Sequence, residues 1–319
     1  MPRRALALTV VAALLSAACS DQGEPDEAGE SGLRGALARV AANDQTRRYV
    51  EYGDVARLAD GGDRFLGVLG YGFSPIAPSA QLMAEQLRFD PAKMDGAVQV
   101  GQPPDLAGVL WGVYDVEALD RELSGRDIPS EDSAGGTRWT SADDRELSID
   151  GPLTGIARTS ELNVLHTAPA TFAYAPSRAG VDWVTAPGDD TLADDPLLRR
   201  LAGCLGDVVA AVIVTGVDGD PTSYAVGVRA TGSGAVTEVA CLAPPDDVSA
   251  MRDRVERELA DGTAPSSRQP WDELLPDASV DLVEQASVVR IEAEPGADGP
   301  VGRVMRMLQT RDLAALAAG

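Results

Sequence analysis

The first nineteen residues constrain this chain more than any other stretch, because they decide the compartment in which the rest folds. Arg3 and Arg4 make a basic start, residues 5–15 form an apolar run, and Ser16, Ala17 and Ala18 are small. Crossing a bilayer takes about 20 apolar residues, so this run is too short to be a span. Its length and small-residue exit fit a secretory signal peptide, with residues 1–18 removed from the mature protein.

The residues at the exit carry a resemblance. Leu15-Ser16-Ala17-Ala18-Cys19 resembles the lipobox of bacterial lipoproteins, whose cysteine is diacylated before the signal is cut away. The large aliphatic residue usual three places before the cysteine is replaced by Ser16, and Leu15 lies one place further back. Ser-Ala-Ala also fits an ordinary signal peptidase site after Ala18, so simple secretion stays open beside lipidation at Cys19. If Cys19 is lipidated, Cys204 and Cys241 remain as a pair in an oxidising compartment, where a disulfide is expected. Closing that loop stabilises the fold by roughly 3–4 kcal/mol on a chain-entropy estimate. Two cysteines with no histidine nearby do not complete a zinc site.

About 300 residues follow the signal, enough for one large domain or two small ones. Hydrophobic residues make up 44% of the chain and aromatic ones only 4%, so the core must be built from Val, Leu and Ala. The formal charge is −23, and it becomes −25 once Arg3 and Arg4 are lost. Such a surface repels phosphate backbones, so no nucleic acid is expected as a partner. Lys93 is the only lysine, a bias that looks like a high-GC bacterial genome.

Residues 20–32 hold five acids and no basic or large apolar residue. They cannot bury enough surface to order themselves. With Cys19 they form an acidic tether (19–32) of about 45 Å when fully stretched. The extracytoplasmic domain is expected over 33–319, with an internal boundary in the breaker-rich loop 125–136.

Within that domain the apolar spacing predicts helices at 33–40, 54–58, 79–87, 115–123, 196–205 and 248–259, and a last one opened by Pro300. Strands are expected at 48–52, 97–100, 109–113, 171–174, 208–214, 224–228, 236–242, 279–283 and 287–291. Shorter ones are expected near Trp139, at 147–149 and at 155–158, while 161–187 is ambiguous. Strand, Asp, helix occurs at 48–58 and again at 109–123, which raises the expectation of two similar halves. The fold class expected is α+β, a mainly antiparallel sheet with helices packed on one face. The strand–strand–helix order of the C-terminal half also resembles surface lipoproteins of high-GC Gram-positive, actinobacterial origin that lack an assigned activity; that resemblance brings no catalytic motif.

Candidate chemistry is sparse. His166 is the only histidine, no Ser sits in a Gly-x-Ser-x-Gly elbow, and a structural or surface role is the expectation for His166. Gly67, Gly70 and Gly72 lack the dinucleotide-binding spacing and read as a glycine-rich turn. Asp189, Asp190, Asp194 and Asp195 form one acidic cluster, and Asp218 with Asp220 a second. Helix capping and turn formation account for both without calcium. The expected function is therefore a membrane-anchored envelope lipoprotein with a non-enzymatic binding or accessory role. It would be held to the membrane by its lipid, engage an envelope component, and need no cofactor or metal. The alternatives are an extracytoplasmic hydrolase using paired carboxylates and a carrier of an apolar ligand.

Overall fold

Several strands are apolar at consecutive positions rather than at every second one, and that pattern decides the architecture. A strand buried on both faces reads as a continuous apolar run, and Ala210–Val214 is buried at all five positions. The computed structural model describes residues 32–157, 160–216, 220–231, 234–295 and 300–319. Cys19, the signal and residues 20–31 of the tether lie outside the described residues, as do Arg158 and Asp218.

The N-terminal half contains α1 (Gly32–Leu37), β1 (Tyr49–Gly53), α2 (Val55–Asp60), α3 (Ala80–Leu87), β2 (Gly96–Gln102) and β3 (Asp105–Trp111). It continues with α4 (Val116–Ser124), β4 (Ser130–Ser133), β5 (Gly136–Thr140), β6 (Val164–Ala168), β7 (Thr171–Ala175) and α5 (Arg178–Thr185). The C-terminal half contains α6 (Pro196–Leu205), β8 (Ala210–Val214), β9 (Ser223–Ala230), β10 (Val236–Ala243) and α7 (Val248–Asp261). After these come α8 (Trp271–Leu274), β11 (Ser279–Val283), β12 (Val288–Ala293), α9 (Arg303–Gln309) and α10 (Asp312–Ala318). Among the described residues the strands form one 12-stranded sheet, in the order β11-β12-β10-β9-β8-β1-β2-β3-β7-β6-β5-β4. Every neighbouring pair is antiparallel. The expected α+β fold with an antiparallel sheet is what forms.

The sheet is organised as two similar halves meeting at the β1–β8 pair. In one, α1 leads into β1, the chain passes through α2 and α3 to the hairpin β2-β3, α4 follows, and β6-β7 returns so that β7 lies beside β3. In the other, α6 leads into β8-β9-β10, α7 follows, and β11-β12 returns so that β12 lies beside β10. The third strand of each half is followed by a helix with an Asp cap: Asp115 accepts from Ala118 N at 2.9 Å, and Asp247 from Ser249 N at 2.9 Å. Asp54 and Asp195 cap α2 and α6 in the same way. Each such cap is worth about 1 kcal/mol.

Helices expected on one face cover both, which corrects the layer count to three. On the first face, α1, α5 and α6 bury Leu37, Val181 and Leu201 against Val50, Val109, Ile213 and Cys241. The opposite face carries two clusters side by side. One packs Val212, Val226 and Leu242 against Met251 of α7, Met305 of α9 and Leu316 of α10. The other packs Leu110, Leu165 and Phe172 against α3 and α4. The cause is the composition of the central strands, which have apolar residues pointing both ways and so need cover on each side.

Other local expectations also change. Residues 125–136 carry β4 and the turn into β5, so they continue the sheet rather than divide the domain. Residues 147–149 are not a strand, and Leu147 and Ile149 are exposed. Residues 151–156 form turns. Pro300 precedes the last helical segment, but α9 starts at Arg303, and α10 adds a further helix. The expected disulfide is present: Cys204 of α6 and Cys241 of β10 are bonded, with Cα atoms 6.3 Å apart, inside the geometric window for a bridge.

Candidate functional site

Where the two halves meet, the sheet presents a carboxylate that its own strand hides. Val50 and Tyr52 of β1 point to the first face, so Glu51 and Tyr49 must point to the second. Glu51 is 2% exposed. Its Oε1 accepts from Gly72 N at 2.8 Å and Ser74 N at 3.3 Å, and its Oε2 from Ser74 Oγ and Tyr49 Oη, both at 2.9 Å. Burial raises its pKa above the ordinary value, and the hydroxyl and backbone donors pull it partly back. The glycine-rich turn and Ser74 just after it supply three of these four donors. Gly72 has φ +86° and sits against the backbone of Ala97 and Gly53, where a side chain has no room. That turn therefore cradles the protein's own carboxylate, not a phosphate.

Beside Glu51 the sheet and the C-terminal helices enclose a cleft of about 320 Å³. Its floor is a cross-strand row, Tyr49 on β1, Val214 on β8 and Tyr224 on β9, with Val212 one step along β8. Its roof is Met305, Leu308 and Gln309 of α9 and Ala314 of α10; Gln102, Asp220 and Arg311 complete the lining. The tyrosines stand two strands apart, about 10 Å between backbones, with a small valine between them. Each phenol donates to a carboxylate, Tyr49 to Glu51 at 2.9 Å and Tyr224 to Asp220 Oδ2 at 2.6 Å. Asp220 Oδ1 also accepts from Thr222 N at 2.8 Å. Burial, then the adjacent carboxylate, pushes both phenols well above their ordinary pKa, so they stay protonated and donating. Tyr71, whose hydroxyl accepts from Gln309 Nε2 at 3.4 Å, is pushed up to about 12, mainly by burial.

Across α9 lies a more polar cavity of about 470 Å³, lined in part by Ser266, Glu273, Arg303, Arg306 and Asp312. Asp312 is spoken for there, accepting from Ser266 N at 3.0 Å, from Ser266 Oγ and from Thr310 Oγ1 at 2.7 Å. A third hollow, of about 320 Å³, is walled by Val55, Leu58, Phe73 and alanines between α2 and α3.

Of the described residues singled out in the sequence, Asp220 alone lines the cleft. His166 is 2% exposed inside the sheet, its Nε2 donates to the Ser133 carbonyl at 2.8 Å, and among the described residues no hydroxyl or thiol pairs with it. Asp195 caps α6 and binds Arg47 at 3.0 Å, while Asp194 accepts from Thr191 N at 3.1 Å and Oγ1 at 2.8 Å. Asp190 lies 3.8 Å from Arg47. Among the described residues no group of three or more His, Cys, Asp or Glu side chains is placed to hold a metal ion, and no helix is long and apolar enough to cross a membrane. Sequence reading missed Glu51, Tyr49 and Tyr224. The available signal was weak, because four of the chain's six tyrosines fall within expected strands and only the spacing of Tyr49 two residues before Glu51 sets one of them beside an acid on the same strand face.

No family model matches the chain, and a search of curated proteins finds no match. Among solved structures, crystal form IV of TP0453 is similar at a TM-score of 0.39 and 11% identity, covering 83% of this chain and 95% of that one.

Proposed function

We propose that this protein is an envelope lipoprotein, anchored through Cys19, whose domain binds a small amphiphilic ligand in the cleft between the sheet and the C-terminal helices. The observation that carries the binding role is the cleft itself. Its volume sits at the lower end of the roughly 300–1,000 Å³ typical of ligand sites, and its lining is apolar with a few convergent polar groups. The hydrolase alternative draws less support. Glu51, the buried acid with the raised pKa, spends its oxygens on four donors and does not line the cleft, where Asp220 is the carboxylate present.

The neutral fluorophore N-phenyl-naphthylamine tests the cleft. Titrated into the mature chain it is expected to bind saturably at one site. Ala314→Trp, which fills the roof, is expected to abolish that binding while the melting midpoint stays within a few degrees. Unchanged binding to Ala314→Trp would remove the cleft as the site. The anchor is tested separately. Mass spectrometry of protein from its host is expected to find a diacylglyceryl Cys19 at the N-terminus, and Cys19→Ser is expected to leave the membrane fraction. Retention of that variant after peripheral proteins are stripped would count against lipidation.

A further inference from the structure

We infer that the ligand of this cleft is a small organic cation, an ammonium group carried on an apolar body. The inference deepens the binding role proposed above and rests on it. It follows from which hydrogen-bonding capacity the lining has left. A phenol has one proton, and Tyr49 has committed its own to Glu51 behind the lining, Tyr224 its own to Asp220 beside it. Toward the cleft both therefore offer only lone pairs. Gln309 directs its amide N–H toward Tyr71, which leaves its carbonyl oxygen as a further acceptor. Asp220 lines the same wall, with one oxygen taken by Tyr224 and the other by a backbone N–H. An ionised carboxylate has about four lone-pair sites, so it retains capacity for another donor.

The charge argument points the same way. The chain carries −23, and a cleft with low-dielectric walls focuses such a field on whatever enters it. Val212, Val214, Met305 and Leu308 supply an apolar surface for the body of the ligand, while the acceptors at the tyrosine ends suit its N–H groups. Arg311 is the opposing feature, a cation in the lining that already has an interaction of its own. Were the ligand an anion, Arg311 would be the group that recognises it, so its substitution separates the two chemistries.

Three probes of matched size make the test: phenethylammonium, the neutral phenethyl alcohol and the phenylpropionate anion, titrated calorimetrically into the mature chain at low and high salt. The ammonium is expected to bind at least about tenfold tighter than the alcohol, as a hydrogen bond to a charged group implies. The anion is expected to bind weakest. Asp220→Asn should cost the ammonium about tenfold and leave the alcohol unmoved, an outcome that a merely structural role for Asp220 would not give. Arg311→Gln should strengthen ammonium binding. Equal or tighter binding of the alcohol or the anion, or weaker ammonium binding in Arg311→Gln, overturns the cation assignment and leaves the cleft standing as a site. Failure of all three probes together with the naphthylamine removes both.

Discussion

Removing the Cys204–Cys241 bridge is expected to lower the melting midpoint by about 8 °C. The bond closes a loop with a sequence separation of 37 residues, and releasing it returns about 4 kcal/mol of chain entropy to the unfolded state on the loop-closure estimate. A domain this large loses roughly 2 °C per kcal/mol. The effect should be global, because the bridge joins the helix that opens the C-terminal half to that half's third strand. Both sulfurs lie in the buried layer between α6 and the sheet. The measurement is calorimetry with and without reductant, accompanied by a Cys204→Ala/Cys241→Ala variant that leaves no thiols to reoxidise. Coincident melts for the bridged and reduced protein would show that α6 and β10 hold their packing without the bond. Peptide mapping of protein recovered from its host under non-reducing conditions checks the pairing directly, and two free thiols there would defeat it.

The pairing was legible because cysteines are few. Much of the strand content was legible for a similar reason: runs such as 208–214 and 236–242 admit few alternatives. What stayed hidden was the meaning of those runs. A half-buried strand alternates, whereas residues 210–214 are apolar throughout, and that continuity already called for cover on both faces. The repeat was visible at the wrong scale. Strand, Asp, helix does occur as β1–α2 and β3–α4, but the unit that builds the sheet is longer. It pairs α4 with α7 through their caps Asp115 and Asp247, residues 132 positions apart with no motif around them. Helices α5 and α10 were missed because their apolar faces are short and built partly from Ala and Gly. The cleft was out of reach for a different reason. Its floor comes from three strands and its roof from two helices, and nothing local to Tyr49 announces that Tyr224 stands two strands away.

Glu51→Ala is the substitution expected to damage the fold most. It leaves Gly72 N, Ser74 N, Ser74 Oγ and Tyr49 Oη without their acceptor. Buried donors stripped of partners cost about 1–3 kcal/mol each, partly recovered by relaxation, so a loss of about 3–5 kcal/mol and roughly 5–10 °C follows. Glu51→Gln should cost far less, because its carbonyl still accepts from both backbone N–H groups while its amide donates to the two hydroxyl oxygens. The pair of variants also reads the charge. The folded pKa of Glu51 lies above its ordinary value of 4.5, so between the two the folded state holds more protons than the unfolded state. Its contribution is then fully present below about pH 4.5 and is lost as pH rises through the folded value. The stability of the natural protein relative to Glu51→Gln should accordingly fall as pH is raised from 4 toward 8, reported by denaturant titrations at each pH. A difference flat across that range would mean that the four donors fully offset the burial of the charge. The same comparison reaches the cleft, because Glu51 is what fixes the Tyr49 proton: in Glu51→Gln the phenol must turn that proton elsewhere, and the preference for an ammonium over an alcohol should shrink with it.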